Sequence, residues 1–84
     1  MALEVRIVTP RKVVWEGVAN AVQAPGEVGE FGVLPKHIPF LTTLRPGVVT
    51  VDGADGKLVF EVGVGFAEAG PGRVTILAET CELK

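Results

Sequence analysis

The sequence has no tyrosine, one histidine, one cysteine, one tryptophan and four phenylalanines in 84 residues. A single cysteine, Cys81, excludes an internal disulfide and suits a reducing cytosol. The five scattered aromatics are too few for a base-stacking platform. Basic clusters are also missing. The densest basic stretch is Arg11-Lys12, and the formal net charge is −2, so a nucleic-acid partner has no electrostatic footprint. No window approaches 18 continuous apolar residues, and the alternating N-terminus, Leu3-Glu4-Val5-Arg6-Ile7, is unlike a signal peptide. No stretch has the period of a long amphipathic helix.

The same scarcity limits the available chemistry. Catalysis and metal binding need several groups that converge. His37 and Cys81 make a nucleophile–base pair only if the fold joins them, and the plain reading of Cys81 is a small, partly buried hydrophobe. Glu27, Glu30 and His37 lack the tight spacing of a metal motif. The glycines do not form a phosphate loop either. Gly26, Gly29 and Gly32 follow G-x-x-G-x-x-G, and no helix N-terminus follows to receive a phosphate. The sequence therefore calls for no catalytic residue, metal or cofactor.

Eleven glycines and six prolines are present, spread along the chain. Between them lie short β-like runs. Leu3 to Ile7 alternates, and Thr9-Pro10-Arg11-Lys12 interrupts it. Val13-Val14-Trp15 follows, closed by Glu16-Gly17. Val18 to Gln23 alternates up to Pro25-Gly26, and Phe31 to Leu34 can pair briefly. Phe40 to Leu44 is a further strand. Val48–Val51 and Lys57–Val62 flank Asp52-Gly53-Ala54-Asp55-Gly56 as a hairpin with a five-residue loop. Gly63 to Glu68 and Arg73 to Glu79 complete the set, with a turn at Ala69-Gly70-Pro71-Gly72 between them. Short strands at this spacing predict an all-β sandwich or barrel, in one domain over 1–84.

The central stretch, Gly26 to Gly47, exceeds an ordinary hairpin loop of two to five residues. Its glycines let residues 26–32 fold back tightly, with Val28 and Phe31 expected to point inward. Pro35 and Pro39 restrict the residues before them, so Glu30, Lys36 and His37 are expected on a stiff projection. Such preorganisation favours binding, because less entropy is lost on association.

Gly26, Gly29-Glu30, Gly32, Pro35, His37, Pro39, Leu41-Thr42 and Pro46-Gly47 together resemble the central motif of the epsilon subunits of F-type ATP synthases. The opening Leu3 to Gly17 and the closing Arg73-Val74-Thr75-Ile76-Leu77-Ala78-Glu79 resemble that family's first and last strands. Lys36, Leu34 and Ile38 depart from it, standing where Gly, an aromatic and Ala are common. The resemblance implies a two-sheet antiparallel β-sandwich, and a non-catalytic central-stalk subunit that docks the gamma subunit onto the membrane c-ring and helps couple proton flow to ATP synthesis. It would sit at the cytoplasmic face of a bacterial inner membrane, attached only through the complex. It implies Glu30 and Lys36 as c-ring contacts, and His37, Pro39, Leu41 and Thr42 as gamma contacts. Gly26, Gly29, Gly32, Pro35, Pro46 and Gly47 would shape the loop. The family's C-terminal helical hairpin is absent from these residues, so neither its ATP site nor its inhibition is expected here. The alternative is a free-standing β-sandwich module that binds a peptide or carbohydrate, with an aromatic-lined groove or a free sheet edge.

Overall fold

The computed structural model describes residues 2–35 and 39–84. Ten strands follow one another: β1 (Leu3–Val8), β2 (Val13–Ala19), β3 (Ala21–Gly26), β4 (Gly29–Val33), β5 (Phe40–Leu44), β6 (Gly47–Gly53), β7 (Gly56–Val62), β8 (Gly65–Gly70), β9 (Arg73–Ala78) and β10 (Cys81–Leu83). One layer runs β4-β3-β6-β7-β10 and the other β5-β8-β9-β1-β2. The two are joined at a corner, where Gly26 of β3 pairs with Leu44 of β5. The expected all-β sandwich is present. One ladder is parallel: β1 lies beside β9, with Val5 opposite Val74 and Ile7 opposite Ile76. Hairpin connections impose antiparallel pairing only on successive strands, and β1 and β9 are distant in the chain.

Strict alternation builds the core. Leu3, Val5 and Ile7 of β1, Val74 and Ile76 of β9, Val49 and Val51 of β6, and Phe60 and Val62 of β7 all turn inward into one cluster. Each such side chain contributes about 1.5–3 kcal/mol on burial. Trp15 is half-buried and packs on Phe60, with ring centroids 6.3 Å apart and the planes tilted by 51°. Phe60 therefore joins the layers. Phe60→Ala is expected to cost about 3–5 kcal/mol, measured as a fall in the urea midpoint. An unchanged midpoint would place the structural centre elsewhere.

Several strand ends differ from expectation for local reasons. Glu16-Gly17 does not close β2, because Glu16 pairs across β1 with Arg6, at a side-chain separation of 3.1 Å. Gly17 lies under the Trp15 ring, where a Cβ would come within 2.6 Å of a ring carbon. The run from Val18 to Gln23 is two strands, broken at Asn20, whose N–H donates to the Asp52 carbonyl at 2.7 Å. The inward phase shifts there, so Ala19 and Val22 are buried while Val18 is exposed. Pro25 lies inside β3 rather than ending it. Its carbonyl accepts from the Arg45 N–H at 2.9 Å, away from β4. The missing N–H lies on that same side, so the β3–β4 ladder loses nothing.

The β6–β7 hairpin is tighter than the five-residue loop expected. Pairing continues through Asp52–Lys57 and Gly53–Gly56 and leaves only Ala54-Asp55 at the turn. Gly56 takes φ +121° there. The C-terminal residues also form a strand, β10, with Cys81 opposite Val62 and Leu83 opposite Phe60. Among the described residues, no helix is long and apolar enough to cross a membrane.

Candidate functional site

The β3–β4 hairpin projects from the corner where the layers meet. Gly26 pairs with Gly29, closing a two-residue turn of Glu27 and Val28. Gly29 holds φ +147°, a conformation side chains rarely adopt. At Gly26 a Cβ would sit 2.7 Å from the Gly29 carbonyl oxygen and 2.8 Å from the Phe31 ring. Gly47 is similarly confined by Pro25, at 2.9 Å, whereas the Cβ position at Gly32 is open, with its nearest atom at 3.9 Å. Pro35 is half-buried in a turn and Pro46 is exposed just before β6.

Val28 does not point inward. It is 100% exposed at the apex, because a two-residue turn throws its side chains off the sheet. Glu30 is exposed on β4, opposite Pro25. Phe31 is half-buried and meets Phe40 of β5 edge to face, at 5.3 Å and 86°. A shallow cavity of about 430 Å³ lies along this flank, lined in part by Glu30, Phe31, Phe40 and Thr42. The tip is tied back to β5 by three hydrogen bonds. The Glu27 N–H donates to the Thr43 carbonyl at 3.2 Å, the Arg45 N–H donates to Pro25, and the Thr43 hydroxyl donates to the Glu27 carboxylate.

The second feature is the outer face of the β5-β8-β9-β1-β2 layer. Register places Phe66 beside Leu77, Leu77 beside Val8 and Val8 beside Val13, a row of apolar side chains across four strands. Phe66 is 49% exposed and Leu77 42%. The neighbouring row is Leu41, Glu68, Thr75, Arg6 and Glu16. It is mostly polar or charged, but Leu41 extends the apolar surface and is 68% exposed. At the loop end of this face, Pro10, Pro46, Val64, Phe66 and Leu77 help line a depression of about 710 Å³. Phe66 is its only aromatic lining residue. The result is an apolar strip edged by charge, an arrangement that suits a protein partner.

The residues singled out from the sequence divide between these surfaces. Leu41 faces outward on β5, while Thr42 alternates to the other side and lines the hairpin cavity. Pro39 is exposed just before β5. Lys36 and His37 lie outside the described residues, and with His37 lies any grouping of it with Glu27 and Glu30 or with Cys81. Cys81 is half-buried, and burial, reinforced by the Glu82 carboxylate, pushes its thiol pKa up. It is thus a protonated, weak nucleophile at neutral pH.

Phe66 and Leu77 were not singled out from the sequence, although a signal was present. Val74, Ile76 and Ala78 fill the inward phase of β9, so the apolar Leu77 between them must face out.

The model for the ATP synthase delta/epsilon chain, β-sandwich domain, matches residues 2–84. The chain belongs to this family. An ATP synthase epsilon chain of Caulobacter vibrioides is 53% identical to this epsilon-type domain over 78 residues, covering 92% of the chain and 90% of that protein. The Acidithiobacillus ferridurans epsilon chain is 45% identical over 83 residues, and the Desulfosudis oleivorans one 46%. Those matches span 98% of the domain but only 58% and 62% of the two proteins. A chain in the Euglena gracilis mitochondrial ATP synthase, solved with OSCP, F1 and c-ring, superposes with a TM-score of 0.91 at 22% identity. It is covered over 53% of its length, against 98% of the epsilon-type domain. A chain of the Tetrahymena thermophila mitochondrial central stalk and c-ring superposes at 0.75 and 15% identity, with 98% and 66% covered. At these identities the two structures speak for the fold.

Proposed function

We propose that the chain is a non-catalytic rotor subunit that holds the gamma subunit to the c-ring and helps couple proton transport to ATP synthesis. It works at the cytoplasmic face of a bacterial inner membrane, peripheral and held by the complex. The observation that carries this reading is the pairing of two distinct surfaces on one small sandwich of the epsilon family: a projecting hairpin tip and an apolar strip edged by charge.

The strip is the gamma-facing surface. Phe66, Leu77 and Leu41 supply apolar area for the centre of an interface, with Pro39 at its margin, and His37 is a further gamma contact in this reading. The charged row around Glu68 and Arg6 forms a rim that sets orientation more than affinity. The hairpin tip is the ring-facing surface. Val28 and Glu30 lead, and Lys36 is a further ring contact in this reading; Thr42, expected to face gamma, lines the hairpin cavity instead. A hairpin closed by a two-residue turn and tied back to β5 loses little freedom on docking, so little of the contact energy goes into ordering it. The role asks for attachment and stiffness rather than chemistry, and an all-β sandwich provides both.

The test is calorimetry of the chain with purified gamma, followed by co-sedimentation with c-ring vesicles. One-to-one binding to each is expected, and a folded chain that binds neither would overturn the reading. Glu30→Arg is expected to weaken ring attachment about tenfold, roughly 1.4 kcal/mol, and to leave melting within about 0.5 kcal/mol of the parent. Unchanged ring binding with a large loss of melting temperature would remove Glu30 from the contact.

A further inference from the structure

The hairpin tip has a weakness that its backbone does not correct. Glu27 and Val28 are flanked by Gly26 and Gly29, two residues without Cβ atoms to stiffen the turn. The bonds Glu27 N–H to Thr43 and Arg45 N–H to Pro25 join main chain to main chain, the first at the turn itself and the second two residues before it. Such bonds resist separation of the strands but not tilt about that line, which the Phe31–Phe40 contact opposes from the β4 side.

The Thr43 hydroxyl adds a tie of another kind. Thr43 faces outward on β5, opposite Phe66, and its Oγ1 donates to the carboxylate of Glu27. This bond joins side chains beyond the main-chain line, so it opposes the tilt that the other two permit. It also connects the two surfaces directly. Thr43 stands next to Phe66 at one end of the apolar row, and Glu27 stands next to Val28 at the tip.

We propose that Glu27 and Thr43 are positioning residues, a side-chain clamp that sets the angle of the hairpin tip relative to the outer face of the β5-β8-β9-β1-β2 layer. The proposal rests on the rotor reading for its purpose. A tip that wavers against the gamma-facing strip lets ring and stalk slip, whereas a clamped tip passes torque from one to the other.

The experiment separates the clamp from that reading. Spin labels go on the full 84-residue chain at Val28→Cys and Val18→Cys, both exposed, in a Cys81→Ala background. The distance distribution between them is compared for the parent, Thr43→Val, Glu27→Ala and Thr43→Ser. A narrow distribution is expected for the parent and for Thr43→Ser, which keeps the hydroxyl. Thr43→Val and Glu27→Ala are expected to broaden it, and the double variant to broaden it no further, with melting temperatures unchanged throughout.

In ATP synthase depleted of its epsilon subunit and rebuilt with this chain, the parent restores ATP-driven proton pumping. Thr43→Val is expected to lose pumping while hydrolysis continues, and Thr43→Ser to recover it. A parent that restores nothing defeats the rotor reading and leaves the distance measurement to judge the clamp. Thr43→Val with the parent's narrow distribution overturns the clamp. Broadened tips with undiminished pumping overturn its role in torque transfer.

Discussion

Gly65→Ala is expected to be the most damaging single substitution in the chain. A Cβ at Gly65 would lie 1.9 Å from the Leu77 carbonyl oxygen and 2.7 Å from the Ala78 Cα. Both are backbone atoms of β9, so no rotamer change relieves the overlap. The strand must move. Gly65 pairs on one side with Ala78 and on the other with Leu44, so moving it disturbs β9 and β5 together. Overpacking of this kind costs about 3 kcal/mol or more. A domain of 84 residues has roughly 4–13 kcal/mol to lose. Urea unfolding of the variant should show a strongly lowered midpoint or no folded baseline. Gly32→Ala serves as the control, since its Cβ meets nothing closer than 3.9 Å. Equal midpoints for the two variants would mean that β8 and β9 are not this close.

On the proposed rotor reading, Phe66→Asp is expected to weaken docking on gamma strongly while the domain stays folded. Phe66 is half-exposed, so its removal does not open the core. It leads the apolar row, however, with Leu77 beside it and Val8 beyond. A carboxylate there must be desolvated under any partner that covers the row. Large aromatics at the centre of an interface are typical hot spots, so the loss should exceed about 2 kcal/mol, roughly 30-fold in affinity. Ring attachment through the hairpin should be unaffected, because the tip is a separate surface. Calorimetry with gamma reads the first effect and co-sedimentation with c-ring vesicles the second. Parental affinity for gamma would move the gamma-facing surface off this layer.

These two positions show how unevenly the sequence discloses the molecule. Phe66 is apolar beside the inward Ala67 and Ala69, so its outward placement follows once β8 is recognised. The need for glycine at Gly65 does not. It arises from the close approach of β9, which is contributed by residues a dozen positions later. Val28 is a similar case. Three glycines at a spacing of three announce a tight reversal, but whether the valine between two of them turns in or out depends on where the turn closes. Pairing of Gly26 with Gly29 puts it at the apex. Strand β10 was hidden for another reason. It is only three residues long, and its Glu82 stands opposite Glu61, a like-charge pair that sequence reasoning disfavours. Cys81, packed against the core opposite Val62, offsets it, while Leu83 stays exposed.

By itself, the sequence determined most of the strand-forming runs, the approximate turn positions and the family. All of these rest on local alternation, on glycine and proline at fixed places, and on a motif read in order. Only the tertiary structure decided which strands lie side by side. The parallel contact of β1 with β9, the corner between β3 and β5, the apolar row across four strands and the bond from Thr43 to Glu27 all depend on that choice. Their partners are far apart in the chain, and a period of two specifies which face a side chain takes but not which strand becomes its neighbour.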